Sequence, residues 1–300
     1  MKKVIILSAF QKSGQTLFIK MKFQNSKFLI MSLLIFLTMF LFINMQVSFA
    51  QQPEKGMEEV KWVNPDLQEM PGLSHHILQS KVMGHDVGYV VWIPPGYSEK
   101  ADERFPVIYF LHGHGGNESA DAAGFSEWVK NAITDGLLPQ VMCVFPNGGV
   151  SGYRGNVEKM IIDELITTID KDYRTIAKAE SRALSGFSMG GAGSVYLSIM
   201  HPELFCAAGS MGGGIRGGTD EFAAAIKKAV PVWKKNNFGF FLVNGDNDHP
   251  EAFEEFSKVL KESGIENEVR ILPDTKHDLG LYYKQSVNNL LAFLGRHLKE

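Results

Sequence analysis

The run Gly186-Phe187-Ser188-Met189-Gly190-Gly191 sets a serine between two glycines at G-x-S-x-G spacing. A short apolar strand pattern at 183–185 precedes it, and a helical pattern at 190–200, closed by His201-Pro202, follows. A serine hydroxyl becomes a useful nucleophile only when a base takes its proton and a carboxylate orients that base. A strand–turn–helix corner supplies the exposure, lifting the oxygen above the sheet in a strained backbone conformation. Glycines at 186 and 190 leave room where strand and helix crowd together. The helix N-terminus behind Ser188 favours a developing anion. The same letters also arise by chance or from tight packing; the strand before them and the helix after them give the pattern its weight.

A second signal, Leu111-His112-Gly113-His114-Gly115-Gly116, directly follows a strand pattern at 107–111. Acyl transfer passes through a tetrahedral oxyanion that needs preorganised N–H donors, each worth about 3–4 kcal/mol. The backbone N–H groups of His114 and Met189 are assigned as those donors, with Gly113 and Gly115 turning the loop's amides inward toward bound substrate. Read instead as metal ligands, His112 and His114 stand two apart with no acidic third ligand nearby, a poor zinc site; no metal or other cofactor is expected. Downstream of Ser188 the candidate bases are His201, His249, His277 and His297. His277 lies in a loop between the last strand and last helix, at the strand ends where open parallel sheets bind ligands, and is taken as the base. For the acid, Asp246 and Asp248 compete in Asn244-Gly245-Asp246-Asn247-Asp248. Asp278 is set aside because adjacent loop side chains rarely face each other. The Asp left over is expected to cap the helix that starts at Glu251.

These residues must be held by a sheet. Strand patterns occur at 76–82, 87–93, 107–111, 141–145, 183–185, 206–210, 240–243 and 268–272. Helical patterns occur at 158–173, 190–200, 251–263 and 282–298, with one short helix at 220–230. Short apolar strands alternating with helices predict a mostly parallel sheet covered on both faces, with an antiparallel start where no helix separates the first two strands. Before this region, residues 1–50 hold six Lys and no Asp or Glu, an uncharged run at 28–45, and small residues at Ser48 and Ala50. This is the pattern of a signal peptide cut after Ala50, giving a secreted or periplasmic protein with no membrane attachment after cleavage. A retained N-terminal anchor is the alternative, and Met21-Lys22 would itself make a good start. Residues 51–71 are a polar lead-in, and 72–300 one domain. Past residue 50 the chain has 24 basic against 33 acidic residues, which argues against a nucleic-acid partner. Two Cys make neither a disulfide scaffold nor a thiolate zinc site.

The segment 105–116, FPVIYFLHGHGG, resembles the "yPvlYlLHGxGG" of the putative-esterase family of α/β-hydrolases, which includes esterase D, feruloyl and acetylxylan esterases, enterochelin esterases and mycolyltransferases. Residues 186–191 match its "GxSMGG", 201–205 its "hPdlF", 94–97 its "PPgY", 145–148 its "mPnG", and His277-Asp278 its "HD". The resemblance runs from about residue 72 to the C-terminus. It implies an α/β-hydrolase fold with an eight-stranded sheet and a serine esterase with Ser188, His277 and, three residues after Gly245, Asp248 as its acid. Leu279 stands where many members carry an aromatic residue, and Tyr282 where a second one often lies. Phe125, Trp128, Tyr153 and Tyr282 are candidates to line the cleft, with core packing the competing role for at least half of them. Residues 212–239 leave no room for a bulky cap domain. An open cleft and export suit acyl groups, feruloyl or acetyl, carried on cell-wall polysaccharide. Another small or siderophore ester is the runner-up substrate. An inactive carbohydrate-binding or membrane-anchored accessory protein is the alternative of another class. The strand order of this fold puts two strands between Cys143 and Cys206, so both are expected as free thiols. Asn117-Glu118-Ser119 fits a glycosylation sequon by coincidence.

Overall fold

The computed structural model describes residues 3–10, 16–23, 60–98, 102–215 and 218–299. Strands β1 (Lys3–Phe10) and β2 (Thr16–Phe23) pair antiparallel, with Lys3 opposite Phe23. The apolar run 28–45 and the expected cut after Ala50 lie outside the described residues. A separate compact unit, Val60–Glu300, contains everything below. Among the described residues, no helix is long and apolar enough to cross a membrane.

In chain order the second unit contains β3 (Leu73–Ser80), β4 (His85–Trp92), β5 (Val107–Leu111), α1 (Ala122–Thr134), β6 (Met142–Pro146), α2 (156–172), β7 (Arg182–Phe187) and α3 (Met189–Met200). Then come β8 (Ala207–Met211), α4 (Gly218–Lys235), β9 (Gly239–Gly245), α5 (Glu254–Glu262), β10 (Glu266–Leu272) and α6 (Leu279–His297). Helix α2 contains a π-helical stretch, Met160–Leu165. The eight strands of this unit form one sheet in the order β10-β9-β8-β7-β5-β6-β4-β3. Only β4 runs against the rest, pairing antiparallel with both β3 and β6. This is an open, mostly parallel α/β-hydrolase sheet.

Strands β5, β6, β8 and β9 are buried along their whole length, as expected of strands covered on both faces. Successive side chains point to opposite faces, so Val107, Tyr109 and Leu111 join one core while Ile108 and Phe110 join the other. Helices α2 to α5 cover the first face, and α1 and α6 cover the second. Cys143 and Cys206 are buried and free, and the strand order places β7 and β5 between their positions.

Two helices depart from the sequence pattern. Helix α1 was not anticipated, because its buried face consists largely of small residues, with Ala122, Ser126 and Ala132 beside Phe125 and Val129. Helix α4 extends beyond the expected 220–230 and continues through Pro231. Fully buried Trp233, whose Nε1 donates to Ser198 O at 3.1 Å, anchors its last turn.

Candidate active site

The register of the sheet brings four loops to one edge. Leu111 pairs with Gly186, Phe187 with Met211, Met211 with Val243, and Leu272 with Gly245. The loops leaving β5, β7, β9 and β10 therefore emerge side by side at their C-terminal ends.

Ser188 occupies the corner between β7 and α3 with φ 55° and ψ −116°. A non-glycine residue in that region is strained and persists only where its surroundings enforce it. They do so here through tight contact. A Cβ on Gly190 would lie 1.8 Å from Leu111 O, and one on Gly186 would lie 2.5 Å from the Gly190 carbonyl carbon. The Ser188 N–H is held by Met211 O at 2.8 Å. Met189 is the first residue of α3, so its N–H has no partner within the helix.

His277 brings Nε2 to 2.8 Å from Ser188 Oγ and Nδ1 to 2.7 Å from Asp248 Oδ2. Its ring packs on Phe187, with centroids 4.7 Å apart. The imidazole side chain is 46% exposed, whereas that of Asp248 is 7% exposed, so the ring is open to an incoming molecule and the carboxylate is sheltered. His201 instead bonds Glu158 at 2.8 Å, His297 is buried against Asn237 O, and His249 lies on the surface beside Glu251.

Asp246 does not cap the following helix, as expected of the leftover acid. Its two carboxylate oxygens accept the backbone N–H groups of Asp274 (2.9 Å) and Thr275 (3.0 Å), and these bonds hold its pKa below the ordinary carboxylate value. It thus staples the loop of Asp248 to the loop of His277. Asp278 caps α6 by accepting from Leu281 N at 3.1 Å.

In the loop after β5, a Cβ on Gly113 would stand 3.5 Å from Ser188 Cβ. Gly115 adopts φ +77°, a conformation that glycine takes without strain. The Gly113 carbonyl accepts from His112 Nδ1 (2.8 Å) and from Gly116 N (3.1 Å). In a trans peptide the C=O and the following N–H point in opposite directions, so fixing that oxygen also fixes the direction of the His114 N–H. His112 Nε2 accepts from Gly148 N at 2.9 Å. A backbone N–H can only donate and a carbonyl can only accept, so the buried ring is neutral with its proton on Nδ1. Burial holds its pKa below 6.5. Both of its nitrogens are engaged, while His114 is exposed.

Two expected cleft residues are corrected by burial. Tyr153 is fully buried and donates to His112 O at 3.0 Å. Tyr282 is also fully buried; its hydroxyl donates to Asp248 Oδ2 at 2.6 Å and accepts from Gly245 N at 2.7 Å. Neither ring has a surface to offer a substrate. Phe125 is core, packed 4.2 Å from Phe110, and Trp128 packs toward Tyr283.

Glu118, read in the sequence only as the middle of a sequon, has a buried role that the sequence did not show. Glu118, 1% exposed, accepts from Asn64 N, from Asn64 Nδ2 (3.0 Å) and from Asn147 Nδ2 (2.7 Å), and lies 3.0 Å from His75 Nε2. It ties the lead-in, β3 and the loop after β6 together. No short motif marks such a residue, because its partners are scattered along the chain.

The arrangement of a hydroxyl, an imidazole and a sheltered carboxylate is suited to acyl transfer. The family described as "Putative esterase" matches residues 80–267. An endo-1,4-beta-xylanase/feruloyl esterase of Xylanibacter ruminicola is 32% identical over 206 residues, covering 63% of this chain and 26% of that protein. An esterase of Mycobacterium tuberculosis is 29% identical over 153 residues, covering 48% of this chain and 32% of its own length. The chain thus spans a third or less of these curated relatives. Among solved structures, a ferulic acid esterase superposes with TM-score 0.66 at 22% identity, covering 75% of this chain and 98% of that one, a likeness of fold.

Proposed function

This chain belongs to the esterase family of α/β-hydrolases, and on that premise we propose that it hydrolyses carboxylic esters through an acyl-enzyme on Ser188. The observation that carries this reading is the unbroken run of hydrogen bonds from Ser188 Oγ through His277 to Asp248, at 2.8 and 2.7 Å. His277 Nε2 takes the hydroxyl proton as Oγ attacks the ester carbonyl, and Asp248 steadies the imidazolium that forms. The carbonyl oxygen, now negative, rests on the His114 and Met189 N–H groups. The alkoxide leaves with the proton from His277. Water then repeats the sequence on the acyl-enzyme and frees the acid. Gly113 and Gly115 leave space at the oxyanion loop for the acyl group.

The substrate class we propose is a feruloyl or acetyl ester on plant cell-wall polysaccharide, acted on outside the cell. Its support is the feruloyl esterase named among the relatives, the exposure of the His277 ring at the strand edge, and the signal-peptide pattern of residues 1–50. Ser188→Ala should lower turnover of nitrophenyl acetate to background while the protein stays folded; near-parental turnover would remove Ser188 as nucleophile. Rates on methyl ferulate, acetylated xylan and simple aryl esters rank the acyl preference, and a failure to cleave either of the first two would count against the polysaccharide assignment.

A further inference from the structure

Asp248 Oδ2 accepts two donors at once, His277 Nδ1 at 2.7 Å and the Tyr282 hydroxyl at 2.6 Å. The tyrosine oxygen is itself occupied as an acceptor by Gly245 N–H at 2.7 Å, which leaves its proton committed to the carboxylate. The hydroxyl therefore completes a short relay of aligned dipoles, from backbone amide to phenol to carboxylate, and such chains polarise one another. Burial and the adjacent carboxylate push the Tyr282 pKa far above the ordinary phenol value, so the group remains a donor across the working pH range. The ring has little freedom to turn. It is fully buried, meets Phe187 edge-on at 5.5 Å, and grows from α6, whose first turn is capped by Asp278. Phe187 in turn carries the face on which His277 packs.

We propose that Tyr282 is a positioning residue for the reaction: its hydroxyl holds the Asp248 carboxylate in the one orientation that keeps His277 aimed at Ser188. The inference rests on the serine-hydrolase reading above. Without the hydroxyl, Oδ2 is free to rotate from the imidazole, and the base loses alignment while the substrate surface stays unchanged.

Tyr282→Phe removes that oxygen and keeps the ring. Its kcat on nitrophenyl acetate should fall about tenfold, with KM unchanged. The low-field proton resonance of the His277 Nδ1–H should shift or broaden, a change that loss of packing alone does not produce. Val287→Ala, a buried truncation on the same helix, controls for lost stability and should retain parental kcat and resonance. In an Asp248→Asn background, Tyr282→Phe should add little further loss, because its target carboxylate is gone. Parental kcat in Tyr282→Phe alongside a crippled Asp248→Asn would overturn the inference and spare the triad. Parental kcat in Asp248→Asn would overturn the triad itself. A Tyr282→Phe chain that cannot fold would assign the hydroxyl to folding and also overturn the inference.

Discussion

His112 shows how a single side chain can set the chemistry of a loop it does not itself perform. Its neutral ring accepts from Gly148 N–H and donates to Gly113 O, so protonation at Nε2 would break the first contact. Because burial holds its pKa below 6.5, the unfolded chain binds a proton near pH 6.5 that the folded chain refuses. Stability is therefore full above that pH and is lost as pH falls toward the folded value. His76 and His297 are lowered in the same direction, so the test is a difference. The drop in Tm between roughly pH 7.5 and pH 5 should be smaller in His112→Gln than in the parent; an equal drop would clear His112 of the effect. The placements of Ser188, at a glycine-flanked corner between strand and helix, and of His277, in the loop after the last strand, were readable from sequence. Tyr153, Tyr282 and Asp246 were not, because an aromatic ring or a loop carboxylate has the same letter whether it faces solvent or a partner thirty residues away.

At the scale of elements, the junction of β5, β7 and α3 is the tightest packing near the site. A methyl on Gly190 would lie 1.8 Å from Leu111 O and 2.7 Å from His112 O, so the helix cannot approach the sheet without glycine there. Gly190→Ala should lower the unfolding free energy by about 3 kcal/mol or more, read from its urea midpoint, and should lose turnover beyond what stability explains. A variant with parental midpoint would mean that the corner can widen. The fully buried strands were legible from their apolar runs. Helix α1 was not, since a stripe of alanine and serine carries little periodic signal. The reach of α4 past Pro231 depends on where Trp233 finds its pocket, which no local pattern records.

Over the whole molecule, the layered plan followed from strand–helix alternation, whereas the contribution of the lead-in did not. Residues 61–64 read as polar linker, yet Trp62 O accepts from Gly88 N at 2.7 Å, Lys61 O from Asn147 Nδ2 at 3.0 Å, and Asn64 donates to the buried Glu118 carboxylate. A chain beginning at residue 72 should be about 3 kcal/mol less stable than one beginning at residue 60; equal midpoints for the two would show that water replaces these donors at no cost. The interior carboxylate at Glu118 thereby decides where this domain can be cut from its surroundings or grafted into others. A piece trimmed to residues 80–267 would strand that carboxylate without Asn64 and His75, and would leave the imidazole at position 277 behind. A transplantable unit has to be drawn around the groups that neutralise and complete it, however far the recognisable stretch of sequence extends.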